Sequence, residues 1–382
     1  MVASLALGAC GRVDFTPVLD GGASGDGDPT GDAGPLAPVR AVAAGKSHSC
    51  AILDGVLACW GDNAAGQLGT GGAGSTTAAI VDPQRRWRAV SVGDYHTCAI
   101  DDASSLWCWG DNATGRLGTG DLQGRTTPTR ISTPEPVRVV GAGTDHTCAI
   151  LASGRLACWG SNAEGQLGLG DNTSRPSPTF VGTDAGWIDV APGQGHTLAV
   201  RDGGIDGTGR NSESQLGLGD GAPIQFQAMQ RIDSGPYVRV TAGQQASCGV
   251  RADGSTRCWG VNDNSDLGLG DAAPRVSPAA GPTGVADYDV QVFHGCAVAT
   301  SGALTCWGRN AEGQLGVGDV VFRGAPVATS AFTDWVDVET GVFHSCAMRA
   351  DGSVWCTGAN EAGQLGTGDT DRRDVWTEVA LP

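Results

Sequence analysis

Apolar and polar residues alternate with a period of two over short stretches of this chain, and nowhere with a 3.6-residue period over ten or more positions. Trp335-Val336-Asp337-Val338-Glu339 and Cys346-Ala347-Met348-Arg349 are two such stretches, the pattern of strands with one buried face. A turn then reverses the chain into Ser353-Val354-Trp355-Cys356, and Gly-rich loops lead to Pro-flanked segments such as Pro128-Thr129-Arg130-Ile131. Strands in quick succession with no amphipathic helix predict an all-β fold.

The strands recur as a unit. Cys-Trp-Gly-x-Asn followed by Gly-Gln-Leu-Gly-x-Gly, with small variations, stands at Cys59, Cys108, Cys158, Cys258, Cys306 and Cys356, and a degenerate copy runs from Gly207 to Gly219. Ahead of each copy stands Gly-x-x-His-[Ser/Thr]-Cys-Ala or a variant, with His48, His96, His146, His196, His294 and His344 in one repeat position and Ala246 in the remaining slot. Three or four strands per unit, seven units, and trimmed array ends at Pro38 and Pro382 predict a seven-bladed β-propeller built from ~50-residue repeats, with an open solenoid as the alternative.

Composition explains itself against that frame. The 62 glycines among 382 residues far exceed the usual ~7%, and they mark turns. Lys plus Arg total 24 against 41 Asp plus Glu, a formal net charge of -17. Nucleic acid and anionic membrane surfaces, which attract basic footprints, are thereby poor partners.

Twelve of the 13 cysteines fall in within-unit pairs: Cys50/Cys59, Cys98/Cys108, Cys148/Cys158, Cys248/Cys258, Cys296/Cys306 and Cys346/Cys356. Each pair flanks one hairpin turn, Asp54-Gly55 in the first unit and mostly three residues ending in Gly in the others, so the two cysteines face each other across the hairpin. The fourth unit loses both together, with Leu198 and Gly207 in their slots. Disulfides, and with them an oxidising compartment, are the expectation. Buried free thiols and a zinc site are the rivals, the latter disfavoured because no Cys-x-x-Cys exists.

The thirteenth, Cys10, ends Leu5-Ala6-Leu7-Gly8-Ala9-Cys10, which looks like a bacterial lipobox. Residues 1–10 are expected to be a truncated lipoprotein-type signal segment with lipid on Cys10, residues 11–36 a Gly/Asp/Pro-rich flexible linker, and residues 37–382 the propeller. No transmembrane helix is expected, so membrane attachment would run through that lipid alone.

The combination of Gly-x-x-His-[Ser/Thr], Trp-Gly-x-Asn and Gly-Gln-Leu-Gly-x-Gly-Asp resembles the regulator of chromosome condensation repeat family across about residues 37 to 382. The resemblance implies a seven-bladed propeller whose chain ends meet in or beside one blade. It implies little about activity, since that family includes nucleotide exchange factors, a plant light receptor and secreted β-lactamase inhibitors.

Candidate chemistry is sparse. Six histidines in one repeat position cannot converge on one metal, and are expected to be half-buried and bonded to the neighbouring blade's backbone. Trp60, Trp109, Trp159, Trp259 and Trp307 read as inter-blade packing; Trp107 and Trp355, on the other strand face, are the candidates for a sugar platform. An Arg stands four residues after the loop Asp in five units, at Asp121/Arg125, Asp171/Arg175, Asp271/Arg275, Asp319/Arg323 and Asp369/Arg373, which predicts a loop-stapling ion pair rather than a phosphate or calcium site. No nucleophile–base motif is present.

The expected molecule is therefore a monomeric, non-enzymatic, cofactor-free propeller of the bacterial cell envelope or secreted space, binding an unidentified protein through loops such as Gly209–Ser214 and Val261–Asp266. A secreted enzyme inhibitor and a polysaccharide hydrolase or lyase are the alternatives; guanine-nucleotide exchange fits poorly with an exported, acidic chain.

Overall fold

The computed structural model describes residues 40–382, which form seven four-stranded antiparallel sheets. The first blade sets the pattern: β1 (Arg40–Ala44), β2 (His48–Leu53), β3 (Val56–Gly61) and β4 (Ser75–Ile80) pair in sequence order. Six more blades follow at Trp87–Arg130, Val137–Phe180, Trp187–Asp233, Tyr237–Ala280, Val285–Ala328 and Trp335–Val379. In each, the first strand is innermost and the fourth outermost. Among the described residues there is no helix. The expected signal segment 1–10, the linker 11–36 and Cys10 lie outside the described residues.

Hairpin turns follow their local sequences. Asp54-Gly55 and Asp202-Gly203 take positive φ at both positions (50° and 81°, 52° and 74°), the type I′ geometry that matches strand twist. In the second unit Ser104 occupies the left-handed position at φ 62° where other units place Gly.

The core lies between blades, not within them. Seven apolar clusters are found, one for each interface. The first joins Cys50, Leu57, Cys59, Leu68 and Val81 of blade 1 to Trp87, Val90, Ala99 and Trp109 of blade 2. A single sheet offers two faces and can bury neither alone, so the ring is the smallest unit with a complete core.

The ring closes without exchanging a strand. The chain ends sit in adjacent blades, and blade 7 meets blade 1 through the contacts used at the other interfaces. Trp60 Nε1 donates to the Gln364 carbonyl (2.9 Å), His344 Nε2 meets Ser49 Oγ (2.8 Å), and Thr77 bridges Thr367. These contacts exclude the open solenoid.

Candidate functional site

The paired cysteines stand directly opposite one another in the hairpin register, as at Cys50↔Cys59 and Cys148↔Cys158. In all six pairs the Cα atoms are 4.1 Å apart and the sulfurs at bonding distance. That short Cα separation belongs to the non-hydrogen-bonded positions of an antiparallel ladder. All twelve are fully buried and pack in the inter-blade clusters. In blade 4, Leu198 pairs with Gly207. A Cβ on Gly207 would lie 2.7 Å from Ile232 Cδ1 and 3.0 Å from a Leu198 methyl, so one large side chain opposite none fills the space a cystine takes elsewhere.

The six histidines are fully buried, where sequence reasoning expected half-burial and a backbone partner. Each Nε2 instead meets a hydroxyl of the next blade. His48 reaches Thr97, His96 Thr147, His146 Thr197, His196 Ser247 and His294 Ser345, at 2.8–3.0 Å. The hydroxyl donates onward to a backbone carbonyl of the histidine's own blade, as Thr97 does to Gln67 at 2.8 Å. Its single proton is thereby committed, so it accepts from Nε2–H, and the ring is neutral with Nδ1 bare. Nδ1 finds no donor in any of the six. Burial holds the histidines far below their usual range, to about 3 for His48, His146, His196 and His294 and about 4 for His344. The ring also packs on the glycine three residues before it: a Cβ on Gly93 would sit 2.7 Å from His96 Cε1 and 2.2 Å from the Gly143 carbonyl of the next blade.

The same carbonyl accepts the tryptophan. Trp109 Nε1 donates to Gln67 O, Trp159 to Arg116 O and Trp259 to Gln215 O, each at 2.9 Å. Thr208 and Thr357, in the Trp slots of blades 4 and 7, use their hydroxyls on Gly165 O and Gly313 O. All five Asp/Arg pairs form, at 2.5–2.7 Å. The Arg125 guanidinium, with the Gln123 N–H, holds the Asp121 carboxyl down at about 2.

The two extra tryptophans are half-buried and engaged by neighbouring side chains. The Arg85 guanidinium lies 3.5 Å from the Trp107 ring centroid, and Asp101 holds both of them. Trp355 packs edgewise on Trp335 and against Phe332, with Nε1 on Ser353. The expected binding loops are also partly structural. Asn211 and Asn262 accept hydrogen bonds from the amides of Leu216 and Leu267, Ser265 and Asp266 are buried, and within the two stretches only Ser212 and Asp263 are exposed.

Sequence reasoning missed a polar chain along the inner strands of blades 4 to 7. Carboxylates there cap outward amides of the next blade: Asp189 takes Val240 N (2.8 Å), Asp287 takes Val338 N (2.8 Å), Asp289 takes Thr340 N (2.9 Å) and Asp337 takes Val42 N (3.0 Å). Arg239 pairs with Asp287 at 2.6 Å. Burial beside Asp287 pushes the Asp337 carboxyl well up. Each partner lies 48 to 51 residues along the chain, or 295 across the ring seam, and a clue was present in the charged residues at alternate positions of Asp287-Tyr288-Asp289 and Asp337-Val338-Glu339.

The interface between blades 5 and 6 departs most from the repeat. Ala246 replaces His and Gly295 replaces its hydroxyl partner; Trp307 packs where a Gly295 side chain would stand, 2.8 Å from its Cβ position, and the Tyr288 ring lies 5.4 Å from Trp307. Asp266 takes the place Gln or Arg holds in the other units, with one carboxylate oxygen buried and unbonded. Desolvation pushes it up to about 7.

Clefts on the hairpin face are shallow in chemistry. One of about 430 Å³ is lined by Ser104, Ser105, Arg130 and Glu135 among others, and one of about 480 Å³ at the seam by Leu53, Ser353, Glu378 and Leu381. Neither is lined by His or Cys. Among the described residues no three His, Cys, Asp or Glu side chains are placed to hold a metal, and no helix is long and apolar enough to cross a membrane.

The RCC1-like domain family matches residues 2–292, and Regulator of chromosome condensation (RCC1) repeats match residues 301–348 and 335–364. Human HERC3, a probable E3 ubiquitin-protein ligase, is 37% identical over 79 residues, 20% of this chain and 8% of that protein. The ultraviolet-B receptor UVR8 of Arabidopsis thaliana is 36% identical over 81 residues, 20% of this chain and 18% of the receptor. The matched stretches are thus small parts of both relatives. Among solved structures, yeast RCC1 (Prp20) bound to Kap60 superposes with a TM-score of 0.74 at 22% identity, covering 85% of this chain and 83% of that one. Human WBSCR16 gives 0.76 at 19% identity, covering 86% and 94%. A further Prp20 structure concerns binding to Gsp1p and histones.

Proposed function

Because the chain belongs to the RCC1-like domain family, we propose that it serves as a non-enzymatic protein-binding propeller, working outside the cytoplasm and held to a membrane by lipid on Cys10. One observation carries the binding reading: the residues with chemistry to offer are committed to the frame. The six histidines, the repeat tryptophans and the five Asp/Arg pairs each hold a blade or loop in place, which leaves loop surfaces as the part free to differ between blades. The structure of yeast RCC1 (Prp20) bound to Kap60 supports protein recognition by a chain of this fold. The extracytoplasmic part rests on six cysteine pairs at disulfide distance, which reducing compartments do not maintain.

Cross-linking in intact cells, followed by capture of the propeller and mass spectrometry, tests the binding reading. A single saturable protein partner is expected, whereas turnover of a polysaccharide in a substrate screen would replace this reading with the enzymatic one. Non-reducing peptide mapping tests the compartment: six intra-hairpin cystines are expected, and free thiols at these positions after gentle extraction would remove the case for export.

A further inference from the structure

In blades 2 to 7 the inner strand opens on an apolar or aromatic residue: Trp87, Val137, Trp187, Tyr237, Val285 and Trp335. All six are buried, and each belongs to the apolar cluster shared with the preceding blade. Each N–H also donates to the hairpin turn of that blade, to the carbonyls of Gly55, Ser104, Gly154, Gly203, Gly254 and Gly302 in turn, at 2.9–3.1 Å. One side chain and one hydrogen bond thus pin every connection between blades to the blade it has just left.

Blade 1 keeps this register in the sequence. Val42 stands where Val90, Val140, Val190, Val240 and Val338 stand, three residues after the opening position, so the counterpart of Trp87 is Val39. Pro38-Val39-Arg40 repeats Pro136-Val137-Arg138. The seam supplies the matching surroundings. Its cluster holds Val354, Val379, Val42, Ala51 and Trp60, in the places that Leu57, Val81, Val90, Ala99 and Trp109 take around Trp87; among the described residues no counterpart of Trp87 joins them. A cleft of about 480 Å³ lies there, lined by Leu53, Gly352, Val354 and Val379 among others, and Gly352 is the counterpart of Gly55. Arg40 pairs with Leu53, so residue 39, one Cα step of about 3.8 Å away, reaches the cleft without further chain.

We propose that the seam cleft is the docking site of this chain's own Pro38-Val39, with the Val39 side chain against Val354 and Val379 and its N–H on the Gly352 carbonyl. The segment ahead of blade 1 is then a strap that fastens blade 1 to blade 7, as the connections fasten the other six interfaces. Its hold on blade 7 is burial and one hydrogen bond, with no covalent link. A peptide from another molecule would have to displace a segment tethered one residue away, which competes at a far higher effective concentration. This docking is independent of lipid on Cys10 and of the protein-binding reading.

The test uses the full chain with p-benzoylphenylalanine at position 39, an aromatic probe for a place that holds Trp in blades 2, 4 and 7. Photo-cross-links to blade 7, at Gly352–Val354 or Val379–Leu381, are expected; links to Leu53 or Asp54 do not count, because Arg40 already lies beside them. Cross-links scattered over the surface, or formed only with a second molecule, would overturn the proposal, the latter marking the cleft as a peptide site in trans. In a second measurement, Val39→Asp should speed native-state hydrogen exchange at Val42, which is buried and capped across the seam by Asp337, by about tenfold or more, as expected for losing one buried valine. Val39→Trp should keep the parent's rate or slow it. Exchange unchanged in Val39→Asp, or raised as much by Trp as by Asp, would equally defeat the strap.

Discussion

At the scale of single residues, the buried histidines and Asp266 pull stability in opposite directions with pH. A histidine whose pKa falls from about 6.5 unfolded to about 3 folded binds its proton only on unfolding. Its contribution is complete above pH 6.5 and fades as pH drops, by about 2 kcal/mol per histidine at pH 5. Six such sites make acid the vulnerability of this ring. Asp266 is the reverse case: its carboxyl, pushed up to about 7, favours the protonated fold, so its contribution is present below the unfolded value near 4 and is lost as pH rises through 7. Denaturant titrations across pH should show a steep acid limb with uptake of several protons on unfolding. In Asp266→Gln, which restores the residue of the repeat, that limb should remain while stability at pH 8 rises by on the order of 3 kcal/mol. An unchanged value at pH 8 would mean that Asp266 is solvated in solution.

At the scale of the hairpin, blade 4 offers a second solution to the same packing problem. Transplanting it to blade 5 as Cys248→Leu/Cys258→Gly should preserve more stability than Cys248→Ala/Cys258→Ala, by roughly 1–2 kcal/mol, because the leucine refills the cavity. Both variants should lack the ~3 kcal/mol that closing a ten-residue loop contributes on the chain-entropy model. Equal losses in chemical denaturation would show that volume is not what the Leu198/Gly207 pair conserves. Features set within one hairpin or loop were legible in the sequence for this reason. The cysteine register, the Asp54-Gly55 turn and the Asp121/Arg125 pair depend on residues no more than ten apart. The histidine's hydroxyl partner, the Asp287–Val338 cap and the packing of Tyr288 against the Cys248/Cys258 pair depend on which strands become neighbours some 30 to 50 residues on. The Arg85 cover on Trp107 was missed likewise, because a loop from the preceding connection supplies it.

At the scale of the whole molecule, six interfaces are backed by a covalent connection and one is not. The seam between blades 7 and 1 holds by noncovalent contacts alone, so it is where the ring should open first. His294 and His344 make the same 2.8 Å bond to a serine, one inside the array and one across the seam, which allows a matched comparison. His344→Ala should speed hydrogen exchange at Val42, whose amide is capped by Asp337 across the seam, under native conditions, whereas His294→Ala should leave it nearer to the rate of global unfolding. Identical exchange in the two variants would indicate a ring that opens only as a unit.

The placement of the cysteines also settles a wiring problem before the ring exists. In the unfolded chain each has its proper partner nine or ten residues away, while the next beyond it, from Cys59 to Cys98, is 39 residues on. Loop closure scales as about the -3/2 power of length, so correct pairing is favoured roughly eightfold on chain statistics alone, before any turn forms. Mispairing among twelve thiols is thereby held down locally, and each hairpin is oxidised without waiting for the blade that will bury it.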